Sequence, residues 1–115
     1  MTPRLDDCTR LELKALARFA TPVQIAEAKA RIAREAASRA NDERVTLASE
    51  SVSACRAVRA HFEAKGEHEA HMRLFERAKL AARISQNAER RWRRLENIAL
   101  GLERALARMR FREGA

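Results

Sequence analysis

Between Pro22 and Gly101 the chain holds a single glycine, Gly66, and no proline. Strands and sheets are punctuated by Gly, Pro, Asn and Asp at short intervals, and a βαβ fold needs the same breaks between its elements. A run so free of breakers, with alanine at 24 of 115 positions and no tyrosine, belongs to a helical protein. An all-β sandwich and a βαβ sheet are excluded. Leu, Ile, Val and Phe together fill only 23 positions, so any core is lean and rich in alanine. The length suits one domain or one extended helical module.

Local signals divide the chain. Thr9 with Glu12 reads as a capping box opening a short helix that ends at Ala20, with Leu13, Leu16 and Ala20 on one face and Leu11 and Phe19 beside it. Thr21-Pro22 then restarts the chain. Thr21 is a good N-cap, Pro22 sits where its missing N–H is harmless, and Gln24 completes a second capping box. A helical arm is expected over 22–65, with Ile25, Ala28, Ile32 and Ala36 as its apolar stripe. The apolar phase slips near Ala40-Asn41-Asp42 and resumes as Val45, Ala48, Val52, Cys55 and Phe62. This arm is either one kinked helix or two helices, the second capped by Asn41 or Asp42. Gly66 fits the left-handed residue that ends a helix.

The segment 67–112 is the most regular. His71, Leu74, Ala78, Ala81, Ser85, Ala88, Trp92, Leu95, Ala99, Leu102, Leu106 and Met109 keep alternating three- and four-residue spacing, a coiled-coil seam. Gly101 falls outside it and costs roughly 1 kcal/mol relative to alanine. Two arms of nearly equal length flank Gly66. The expected fold is therefore all-α: a long antiparallel helical hairpin with the short N-terminal helix packed at one end. A small helical bundle is the alternative if the chain also breaks at Asn41 and near Gln86-Asn87.

The net charge is +8, with 20 Arg against 4 Lys, which points to an acidic partner. Arginine's planar fork suits phosphate, although a GC-rich coding sequence also enriches Arg and Ala together. The longest stretch without a charge, Phe19 to Ala26, is too short for a transmembrane helix or a secretory segment. A cytoplasmic location is expected, with Cys8 and Cys55 as reduced thiols.

Arg90-Arg91-Trp92-Arg93-Arg94 sets four cations around one seam aromatic. Arg83 to Arg94 holds five Arg and one Glu, so pairing with Glu89 and Glu96 cannot neutralise the segment. Arg104, Arg108 and Arg112 recur every four residues as a second stripe. Arg83, Arg90, Arg91, Arg93, Arg94, Arg104, Arg108 and Arg112 are thus the candidate phosphate contacts. His61, His68 and His71 lack the Cys partners or HExxH pattern of a zinc site, so no metal and no cofactor is expected. Ser49, Ser51 and Ser53 sit on a helix without a nucleophile elbow, and Cys55 is placed on the apolar stripe as inert packing. No enzyme activity is expected. The leading expectation is a non-catalytic protein that binds nucleic-acid backbone with weak sequence preference, alone or within a nucleoprotein assembly. The alternative is an interaction adaptor, a homo-oligomer or subunit of a larger complex, that docks an acidic protein. It would use its basic face and the seam residues Trp92, Leu95, Leu102, Leu106 and Met109.

Overall fold

The computed structural model describes Lys14, Arg18 and residues 20–114. The capping box at Thr9 and most of the short helix expected over 9–20 lie outside the described residues, as does Cys8. Among the described residues two long helices carry the fold, α1 (Pro22–Glu63, 42 residues) and α2 (His68–Gly114, 47 residues). Among the described residues there is no strand, and no helix is long and apolar enough to cross a membrane. The described chain divides into two compact units. The turn unit is Arg39–Arg93, and the terminal unit is 20–38 with 94–114.

The start of α1 is the one its sequence specifies. The Thr21 amide donates to Gln24 Oε1 at 3.0 Å, and the Gln24 amide donates to Thr21 Oγ1 at 3.2 Å. Two amides that the first turn leaves without helical partners are satisfied in one exchange. The arm does not break at Asn41: α1 is a single helix. The Asn41 side chain accepts from Arg44, at 3.1 Å from Nε and 2.7 Å from Nη2, rather than capping a new helix.

The end of α1 corrects a second expectation. The left-handed residue is Lys65, with φ of 56°, and no glycine has positive φ. The Lys65 amide donates to the Phe62 carbonyl (3.1 Å) and the Gly66 amide to the His61 carbonyl (3.2 Å), the paired closure of a Schellman motif. At 66 the missing Cβ leaves space that the His61 ring occupies. A Cβ there would collide with the His61 ring, whose Nε2–H donates to the Glu67 carbonyl at 3.1 Å.

In α2 every residue of the expected seam, from His71 to Met109, is buried or half-buried. In α1 the seam is not the expected one. It runs through Val23, Ala26, Ala30, Ala33, Ala37, Ala40, Arg44, Leu47, Ser51, Ala54, Val58 and His61, with unbroken three- and four-residue spacing, and each of these is buried or half-buried. There is no phase slip. The stripe expected at Ile25, Ala28, Ile32 and Ala36 is nevertheless enclosed, with Ala28 buried and the other three half-buried, so α1 covers a second face there besides the seam. Of the stripe expected after Asn41, Val45, Val52, Cys55 and Phe62 are exposed.

In the terminal unit the two helices are antiparallel, because Glu27 pairs with Arg110 (3.0 Å) while Arg34 pairs with Glu96 (2.7 Å) and with Glu103. That register sets Ala37 opposite Ala99, both fully enclosed, and Ala30 opposite Leu106, both buried. Arg34 holds both carboxylates along one edge. Its hydrogen bonds push the Glu103 carboxyl below the usual carboxylate range and raise its own pKa further. A carboxylate whose folded pKa is depressed stabilises the fold above its unfolded pKa and loses that contribution as pH falls through the folded value. Glu103→Gln is therefore expected to lower the urea midpoint at pH 7 relative to wild type. The gap should close in acid, once Glu103 is protonated in both states. A gap independent of pH between 7 and 2 would show that charge is not its source.

In the turn unit, the seam carries an aromatic-cation layer. The Arg44 guanidinium lies 4.3 Å from the centre of the Trp92 ring, steadied by Asn41. Stacking lets an arginine occupy a seam position because its flat face covers the indole while its edges keep hydrogen bonds. Next to this layer the seam holds Leu47 and Ala88, and beyond them small residues follow: Ser51, Ala54, Ala78, Ala81 and Ser85. At the turn, His61 stacks on His71 with ring centres 5.9 Å apart, and Phe62 leans on His71 at 5.7 Å.

Candidate nucleic-acid interface

A helix packed along one face of another leaves its outward side and its two edges to solvent, and the seam register assigns each arginine of α2 to one of these. In the turn unit, Arg83 and Arg90 are exposed and point away from α1. Arg91 is half-buried on one edge, where its Nη2 reaches Glu43 Oε1 at 3.0 Å. Arg93 lies on the other edge and pairs within the helix with Glu89 at 2.9 Å. Of the two carboxylates expected to compensate this segment, Glu89 does so, whereas Glu96 belongs to Arg34 in the terminal unit.

In the terminal unit Arg94, Arg104, Arg108 and Arg112 are all exposed. Among the described residues none of Arg83, Arg90, Arg94, Arg104, Arg108 and Arg112 forms an ion pair. Their guanidinium groups keep all their donors for a ligand. The same is true of Arg73 and Arg77 in the turn unit, which the sequence reading passed over. Glu67, Glu69 and Glu76 dilute the local charge of that segment and hide the fact that Arg73 and Arg77 turn away from the seam.

From Arg73 to Arg112 the outward side of α2, with the edge that carries Arg91, bears one acidic residue, Glu76. The opposite edge bears Glu89 in the turn unit and Glu96 and Glu103 in the terminal unit. Charge is thus sorted around the helix rather than spread over it. Unpaired guanidinium forks on a helix surface have the geometry for charge-assisted, bidentate contacts with phosphate oxygens.

No family model, curated protein or solved structure matches this chain. The site therefore rests on its own geometry.

The other expected groups fall as follows. Trp92, Leu95, Leu102 and Met109 are half-buried on the seam and Leu106 is buried there, each facing α1. Cys55 is exposed, a free thiol on the surface rather than packing within the seam. The reason is the true course of that seam, through Leu47, Ser51 and Ala54. Ser51 is half-buried in it, while Ser49 and Ser53 are exposed. His61, Phe62, Lys65, Gly66, His68 and His71 line an open cleft at the turn. Among the described residues no group of three or more His, Cys, Asp or Glu side chains is placed to hold a metal ion.

Proposed function

We propose that this chain is a non-catalytic nucleic-acid-binding protein, acting alone or as a small subunit of a nucleoprotein assembly. It grips backbone phosphates with weak sequence preference. The reading is carried by the sorting of charge on α2: Arg83 and Arg90 in one unit, and Arg94, Arg104, Arg108 and Arg112 in the other, are exposed and free of ion pairs among the described residues. A solvated helix surface without a ligand gains from mixing charges of both signs, since like charges three or four residues apart repel. Here the repulsion is tolerated on one side and relieved on the other, which is what phosphate binding selects for.

Phosphate binding releases condensed counterions, so affinity falls steeply with salt. Titration of fluorescent single- and double-stranded oligonucleotides should show roughly a thousandfold loss of affinity between about 50 and 200 mM salt, the value for about six phosphate contacts. Oligonucleotides of unrelated sequence should bind within a few-fold of one another. No binding at the lower salt would overturn the reading, and so would tight binding that salt does not weaken.

A further inference from the structure

One apolar surface of the turn unit has no counterpart among the described residues. Val45, Ala48, Val52, Cys55 and Phe62 keep the three- and four-residue spacing of a core stripe, yet Val45 is 53% exposed, Val52 50% and Phe62 71%. On α2 the facing stripe holds Met72, 43% exposed, and Phe75, 44% exposed, with Ala82 a turn or two further on. Both stripes lie on the edge opposite the Arg91–Glu43 bridge, and the contact of Phe62 with His71 brings them together at the turn. Scattered exposed hydrophobes are ordinary, but a periodic pair of stripes on adjoining helices is an interaction surface.

We infer that this edge is the contact between two copies of the chain, meeting face to face as an isologous dimer. Relief and charge select that occupant. Ala48, Cys55 and Ala82 make a low floor where the helices adjoin, and Val45, Val52 and Met72 stand beside it. The surface thus offers both ridge and groove, as a two-fold interface requires of a single patch. Val, Phe, Met and Ala give no donor to a lipid or nucleic-acid phosphate.

The charges along this edge come as pairs of opposite sign. Arg59 bonds Glu63 at 3.2 Å, Lys79 approaches Glu76 at 3.8 Å, and Arg93 bonds Glu89 at 2.9 Å. A strongly acidic partner would find no net attraction here, whereas an identical edge meets without net repulsion. The unpaired arginines of α2 lie on its outward side, so the copies hold them apart. Beyond about 8 Å their repulsion is largely screened at physiological ionic strength.

The test is sedimentation of the full chain without nucleic acid, so that its outcome is independent of phosphate binding. Wild type should sediment at twice the 13.1 kDa chain mass, and the Val52→Glu/Phe62→Glu variant at the chain mass with an unchanged helical circular dichroism spectrum. Both side chains are exposed, so the variant should retain its fold. As a second measurement, a short bis-maleimide should link copies through Cys55, near the middle of the stripe, in a Cys8→Ser background. A wild-type monomer would overturn the inference, and its flotation with anionic vesicles would assign the stripe to a membrane surface instead. A dimer that survives in the double variant, or that Cys55 fails to link, would place the contact elsewhere and overturn it equally.

Discussion

A variant carrying Arg83→Glu, Arg90→Glu, Arg104→Glu and Arg108→Glu is expected to lose roughly a hundredfold or more in oligonucleotide affinity at low salt while keeping its helical spectrum and melting transition. These four positions isolate ligand binding from folding. All four are exposed and free of ion pairs among the described residues. The more obvious set around Trp92 would not serve as well, because Arg91 bridges to Glu43 and Arg93 to Glu89. Reversing those two would confront each carboxylate with another, and a loss of binding could then reflect a damaged turn unit. The salt dependence gives the sharper reading. Each lost phosphate contact lowers the slope of log affinity against log salt by about 0.9 on duplex DNA. A slope near 5 should therefore fall to about 2. A variant that binds more weakly at an unchanged slope would mean that these arginines do not touch phosphate.

The fold was legible in the sequence wherever one chemical signal stood alone. The Thr21–Gln24 cap could be read directly, because hydroxyl, proline and amide each satisfy a separate requirement of a first turn. The α2 seam was equally readable, since Leu74, Trp92, Leu95, Leu102 and Leu106 mark a phase that no rival stripe disputes. In α1 two signals compete. The stripe of Ile25, Ala28, Ile32 and Ala36 is enclosed as its pattern implies, but continued past Asn41 it leads to Val45, Val52 and Phe62, which are exposed. The actual contact runs along Ala26, Ala30, Ala33 and Ala37, and then through Arg44 and Ser51, which look like surface residues until Trp92 is placed against them. At the turn, a lone glycine suggests the left-handed residue, but Lys65 takes the positive φ and Gly66 leaves its Cβ space to the His61 ring. For the candidate site, the outward direction of Arg83, Arg90, Arg104 and Arg108 follows from the seam phase alone. The engagement of Arg91 does not, because its partner Glu43 is 48 residues away.

Ala99→Leu should destabilise the fold by roughly 1–3 kcal/mol, the cost of forcing extra methylenes into a packed contact. Alanine is usually a substitution that removes packing, and here it is the packing. Ala99 and Ala37 are both fully enclosed, and the Arg34–Glu103 pair fixes the register that sets them opposite each other. Elsewhere in the terminal unit a large residue meets a small one, as Leu106 meets Ala30, so the space between the helices is already filled. At the Ala37–Ala99 layer neither side can yield room. A leucine there must push the helices apart and pull the Arg34 clamp with them, or leave its rotamer well. The same substitution at Ala107, which is exposed, should change stability by no more than about 0.5 kcal/mol. Urea unfolding of the two variants separates a steric cost from any effect of leucine on helix propensity, since both sites lie in the interior of α2. Equal midpoints for the two would mean that the helices stand far enough apart at this layer to accept a larger side chain. The alanine content would then reflect composition alone rather than close approach.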